Sequence, residues 1–180
     1  MAYREIVLQP HRCQPEINGR ESRILRIGVR LAVDVGSARI GVARCDRDGL
    51  IASPLATVAR GRGDLERIGE LAAADEVTEI VVGLPTTLAG REGPAAEDAR
   101  SFATALAIRL APVPVRLVDE RFTTVIAHDA LRQGGKNSRN RRSVVDRSAA
   151  ALLLQGALDT ERATGQPAGE PVRPLSGGRG

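Results

Sequence analysis

The sequence predicts an α/β fold: a mixed five-stranded sheet, a three-strand antiparallel meander followed by βαβ units, with helices on both faces. Three observations carry this. Three strand-like apolar runs between Arg30 and Val58 are joined by short turns. The apolar period then changes to helical spacing from Asp64 onward. Two further apolar runs, Glu79–Leu84 and Val113–Val118, alternate with helical segments, the signature of crossover units.

The first run is Arg30-Leu-Ala-Val-Asp-Val35, turning at Gly36-Ser37. The second, Ile40-Gly-Val-Ala-Arg-Cys45, ends at Asp46-Arg-Asp-Gly49, a turn of Asp-Gly type. The third, Leu50 to Val58, contains Pro54 and so predicts an edge strand or a bulge. Asp64 suits a helix N-cap, and Leu65, Ile68, Leu71 and Ala72 follow on one stripe. Glu79-Ile-Val-Val-Gly-Leu84 is nearly all apolar, as a strand covered on both faces requires. Pro94 opens a helix with Ala99, Phe102, Ala103, Leu106 and Leu110 inward. Val113–Val118 is the last strand, Val125–Arg132 a helix stopped by Gly134-Gly135, and the final helix spans about Ser143 to Arg162, with Val145, Ala149, Leu152 and Leu153 inward. This βββαβαβαα order belongs to the ribonuclease-H-like fold. Residues 1–27 lack a period and read as an irregular leader, and 28–162 form the folded body. The Gly/Pro-rich residues 163–180 read as a disordered tail, because they cannot bury enough apolar surface to order themselves.

Composition narrows the class. Of 180 residues, 42% are hydrophobic but only 2% aromatic, so the core must be aliphatic. No stretch approaches the roughly 20 apolar residues of a membrane span, and no signal-peptide run opens the chain, so the expectation is cytoplasmic with no membrane partner. Cys13 and Cys45 have no metal-binding spacing; Cys45 reads as a buried strand residue. The net charge is +4, but Lys136 is the only lysine, and so much arginine reflects composition bias as readily as a partner. Charge distribution says more. Arg132, Lys136, Arg139, Arg141, Arg142 and Arg147 face one acid, Asp146, in a short polar stretch, whereas residues 64–98 are acidic. That stretch suits a phosphate backbone, or else is a solvated loop. With so few aromatics, shape and backbone recognition are expected rather than base reading.

Three carboxylates stand out. Asp34 interrupts an apolar strand, where a charge is costly unless paired or bound to a cation. Gly36 and Gly41 are expected to leave room beside it, although a turn-bonded Asp remains the alternative. Glu120, in Asp119-Glu-Arg-Phe-Thr-Thr124, follows the last strand, where open α/β sheets bind ligands; by itself the segment more commonly reads as a capping Asp and a surface Glu. Asp146 falls on one face with Ala150 and Leu153 if the final helix includes it, or it simply complements a helix dipole. Should the three converge, they could hold Mg2+ or Mn2+ for phosphodiester hydrolysis. The Asp34-Val-Gly turn also occurs in sugar-kinase and Hsp70-type ATPases, but that class needs a second such domain.

In combination the motifs Leu31–Ala43, Ala52-Ser-Pro54, Val81-Val-Gly-Leu-Pro85 with Gly90 and Gly93, Asp119–Thr124 and Asp146–Ala150 resemble the YqgF/RuvX family over about residues 28–160. The resemblance implies a ribonuclease-H-like fold akin to RuvC. It also implies a nuclease that matures the 5′ end of pre-16S rRNA, or in some members a dimeric Holliday junction resolvase. It carries the catalytic, metal-holding acids onto Asp34, Glu120 and Asp146. The expected partner is structured RNA or branched DNA, bound through Arg39, Arg121, Lys136, Arg139, Arg141 and Arg142, with a homodimer or a non-catalytic assembly factor as the other readings. Phe122 stands where the family often has Leu.

Overall fold

The computed structural model describes residues 26–86, 90–120 and 148–173. Within them the chain forms β1 (Arg30–Val35), β2 (Arg39–Cys45), β3 (Ala52–Ala59), α1 (Asp64–Ala74), β4 (Glu79–Leu84), α2 (Pro94–Arg109), β5 (Val115–Asp119), α3 (Ala149–Thr164) and β6 (Glu170–Pro171). The strand order is β3-β2-β1-β4-β5-β6. β1, β2 and β3 pair antiparallel as a meander, while β1, β4 and β5 run parallel. The expected mixed sheet is therefore present, with one strand more than five. The predicted helix at Val125–Arg132 lies outside the described residues.

Strand alternation sorts the side chains into two layers. Leu31, Val33, Ile40, Val42, Ile80, Val82 and Leu117 point to one face, where α1 and α2 cover them with Ile68, Phe102 and Leu106. Ala32, Ala43, Val81 and Val118 point to the other, under Ala150, Leu153, Leu154 and Leu158 of α3. Small alanines on both sides of this second layer let α3 approach the sheet closely. Cys45 is buried there, its Sγ accepting from the Arg30 amide at 3.2 Å. Every residue of β4 is buried, as its apolar run predicts. Pro54 sits on the edge strand, opposite Ala43, beside a register shift between Val42 and Ala43, so both consequences expected of it are present.

Two helix starts differ from the sequence reading. Asp64 is the first helical residue rather than the cap: Gly63 holds that position, and the Asp64 carboxylate accepts from Gly61 N at 2.9 Å and from the Arg60 guanidinium at 2.8 Å. α3 begins at Ala149, not near Ser143. The Ser148 hydroxyl caps it, accepting from Ala151 N at 3.3 Å. Ala149 is accordingly exposed rather than inward, and Asp146, expected on this helix, lies outside the described residues.

The segment after α3, expected to be disordered, holds β6. Its composition gives it no core of its own, but β5 offers an open edge, and Val172 N donates to Val115 O at 2.8 Å. The Arg116 guanidinium donates to the carbonyls of Ala168 and Gly169 at 2.7 and 2.5 Å. At Gly169, φ is +69°, and a Cβ would lie 2.0 Å from Leu117 O, so only glycine permits this approach.

At its other end the expected leader runs into the fold. Arg26 donates to Glu79 of β4 at 2.8 and 2.9 Å and to Glu161 of α3 at 2.8 and 2.7 Å. Arg30 donates to Glu161 at 2.9 Å. No helix among the described residues is long and apolar enough to cross a membrane.

Candidate active site

The parallel strands β1, β4 and β5 end together, and two of the candidate side chains, Asp34 and Glu120, gather at that end. Asp34 is the penultimate residue of β1. Because Leu31 and Val33 face α1 and α2, Asp34 faces α3, opposite Gly41 in the antiparallel register. Glu120 follows β5 directly and extends the ladder by one bond, its amide donating to Leu84 O at 3.2 Å. Alternation sends Val118 and Glu120 to the α3 face. The Glu120 carboxylate lies over Gly83, where a Cβ would be 2.8 Å from Oε1 and 3.2 Å from Leu153 Cδ2.

The structure thus brings Asp34 and Glu120 into one cleft of about 100 Å³, walled by Ala149, Leu152 and Leu153 of α3. The start of α3 stands at its mouth, so the positive end of that helix dipole faces the acids. Both carboxyls are half-buried, and burial pushes the Asp34 carboxyl above its ordinary range. Glu120 is pushed up by burial first, then by the negative charges of Asp34 and Asp119.

Two carboxylates held at this mutual disadvantage form a donor set suited to a divalent cation, which prefers oxygen ligands and relieves the repulsion. Among the described residues no group of three His, Cys, Asp or Glu side chains could hold a metal, and the expected third ligand, Asp146, lies outside them.

The glycines divide differently from expectation. A Cβ at Gly36 would meet Arg39 O at 2.7 Å, so that glycine serves the β1–β2 hairpin turn rather than the cleft. At Gly41 a Cβ would make only ordinary contacts, 3.8 Å from Asp34 Cβ and 3.6 Å from Ala150 Cβ. Gly83, which the sequence reading did not single out, is the position that admits a carboxylate. Its signal was a glycine inside an otherwise bulky buried strand. Thr86 was also missed: its hydroxyl donates to Asp119 Oδ1 at 2.8 Å. Of the expected phosphate-binding residues, Arg39 is exposed on β2, on the same face as Gly41 and two residues from it. Arg121, Lys136, Arg139, Arg141 and Arg142 lie outside the described residues.

The pattern that defines the RuvX family, described as Holliday junction resolvase, matches residues 28–160. The chain belongs to the RuvX family. Relatives named "Putative pre-16S rRNA nuclease" include one from Nocardioides sp., 60% identical over 153 residues, covering 82% of this chain and 98% of that protein. One from Thermobifida fusca is 58% identical over 155 residues, again covering 82% and 98%. Among solved structures, RuvC of T. thermophilus in complex with a Holliday junction substrate aligns with a TM-score of 0.50 at 17% identity, covering 78% of this chain and 99% of RuvC. At that identity the likeness concerns the fold, and it agrees with the ribonuclease-H-like order of this RuvX chain.

Proposed function

We propose that this protein is a metal-dependent endonuclease that hydrolyses phosphodiester bonds in structured nucleic acid, with the 5′ end of pre-16S rRNA as its substrate in the cytoplasm. The observation that carries the reading is the meeting of Asp34 and Glu120 in one half-buried cleft at the strand ends. The names of the RuvX relatives support the substrate.

In this reading Asp34, Glu120 and Asp146 hold Mg2+ or Mn2+. When bound, such a cation lowers the pKa of a water and neutralises charge on the phosphoryl and leaving oxygens. The protein's own part is positional. β1 and β5 present two carboxylates from rigid strand ends, and the apolar wall of Leu152 and Leu153 keeps bulk water from one side of them. In the same reading the nucleic-acid backbone is bound by Arg39, which is exposed on β2, and by Arg121, Lys136, Arg139, Arg141 and Arg142.

A second reading is cleavage of four-way DNA junctions, which membership of a family described as Holliday junction resolvase favours and which would call for a homodimer. One experiment tests both: cleavage of pre-16S rRNA fragments and synthetic junctions side by side, with Mg2+ or Mn2+, by wild type and Asp34→Asn. Wild-type cleavage of the RNA, lost in the variant, supports the first reading. Junction cleavage alone, by a protein that sediments as a dimer, replaces it with the second. Tight binding without cleavage under any metal condition would leave an assembly factor and refute both.

A further inference from the structure

We propose that Thr86 and Asp119 are a positioning pair for Glu120, set behind the sheet from the cleft. The inference rests on the metal-site reading and adds to it the residues that fix one ligand. Consecutive strand residues point to opposite faces. Glu120 faces α3 and the cleft, so Asp119 faces the α1 and α2 side, as Val115 and Leu117 do. There the Thr86 hydroxyl donates to Asp119 Oδ1 at 2.8 Å, directly across from the point where Leu84 pairs with Asp119.

Thr86 is itself held. It forms an antiparallel bridge with Glu92. Both carboxylate oxygens of Glu92 are gripped by Arg100 of α2 at 2.5 and 2.7 Å, and Arg100 also reaches Glu170 at 2.5 Å. Helix α2 therefore fixes Glu92, Glu92 fixes Thr86, and Thr86 fixes the side chain one residue before Glu120. This matters because β5 ends there. At that end the Glu120 amide donates to Leu84 O, and the carboxylate lies against Gly83, so the setting of this peptide decides where the carboxylate sits. A hydrogen bond on the far face, two atoms of side chain from the backbone, fixes the peptide that aims Glu120. Loss of a group hydrogen-bonded to a metal ligand typically costs about 10- to 100-fold in affinity, and Thr86, acting one residue away through Asp119, belongs at the low end of that range.

The test is Mn2+ titration by calorimetry on the full chain, comparing wild type, Thr86→Val, Thr86→Ala, Thr86→Ser and Glu120→Gln, with melting temperatures and steady-state cleavage alongside. Thr86→Val and Thr86→Ala are expected to weaken Mn2+ binding about 10-fold, to lower kcat in step and to leave KM for nucleic acid unchanged. Thr86→Ser, which keeps the hydroxyl, should restore wild-type affinity. Wild-type Mn2+ affinity in Thr86→Val, or a Thr86→Ser as weak as Thr86→Val, overturns the positioning role while leaving the metal site standing. Equal Mn2+ binding by wild type and Glu120→Gln instead overturns the metal-site reading, and the inference with it.

Discussion

Replacing Arg26 with Met should unlock the N-terminal edge of the domain. The Arg26 guanidinium donates two bonds to each of two carboxylates, Glu79 and Glu161, whose side chains are only 5% and 7% exposed. Glu161 would keep Arg30. Among the described residues Glu79 has no second cation, so Arg26→Met leaves it buried and uncompensated. Breaking a buried pair from one side costs about 3–5 kcal/mol. Arg26 is itself 39% exposed, and water can take over some of its bonds, which points to the low end, about 3 kcal/mol. For a domain of this size that lowers Tm by roughly 6–12 °C.

Thermal unfolding followed by circular dichroism measures the drop, and pH checks its origin. Burial pushes the Glu161 carboxyl up, but the bonds from Arg26 and the charge of Arg30 outweigh it and hold the carboxyl below its ordinary range. A carboxyl with a depressed folded pKa stabilises the fold above its unfolded pKa, about 4.3, and loses that contribution as pH falls through the folded value. The gap between wild type and Arg26→Met should therefore be full at pH 7 and shrink below about pH 4. A double variant that also carries Glu79→Gln should recover much of the loss. A Tm change under about 2 °C at pH 7, or a gap of equal size at pH 7 and pH 3, refutes the reasoning.

Three further outcomes follow from the site and the sheet. Asp34→Asn should abolish cleavage yet raise Tm by a few degrees at pH 7. Burial holds the Asp34 carboxyl above its ordinary range, so its charge costs stability at every pH where it is ionised, and the amide removes that cost; a lower Tm in scanning calorimetry would contradict this. Gly83→Ala should cut kcat about 100-fold with little loss of Tm, because the new Cβ meets the movable end of Glu120 rather than backbone. Gly169→Ala meets backbone instead, 2.0 Å from Leu117 O at a positive φ, so it should release β6 and cost about 1–3 kcal/mol in urea unfolding without changing kcat.

Much of this architecture was legible in the residues because it depends on local pattern. The meander, the edge position of β3 and the fully buried β4 each follow from alternation, from Pro54 and from an unbroken apolar run. Asp34 was legible because a charge inside such a run has no local explanation. Glu120 was visible only through its motif, since an Asp-Glu pair after a strand is ordinary capping chemistry. What escaped was set by contacts distant in sequence. The Arg26 partners lie 53 and 135 residues away, and nothing in an Arg- and Glu-bearing leader announces them. β6 escaped because a Gly/Pro segment is ordered here by an edge that another strand provides. The start of α3 was placed early because Val145 continues its apolar period, while Ser148, the residue that caps it, looked like any other polar position. Thr86 carries no charge and no motif, and its role appears only when β4 and β5 are laid side by side.

The two outer strands share a feature with consequences for assembly. β3 carries Pro54 at a register shift, and β6 is two residues long and ends in Pro171. Each flank therefore presents a broken row of amide donors, and an incoming strand would find no continuous ladder to extend. Among the described residues, neither edge offers two copies a continuous strand-to-strand seam. Concentrated preparations should accordingly resist fibre growth by strand addition even when partly unfolded at their ends.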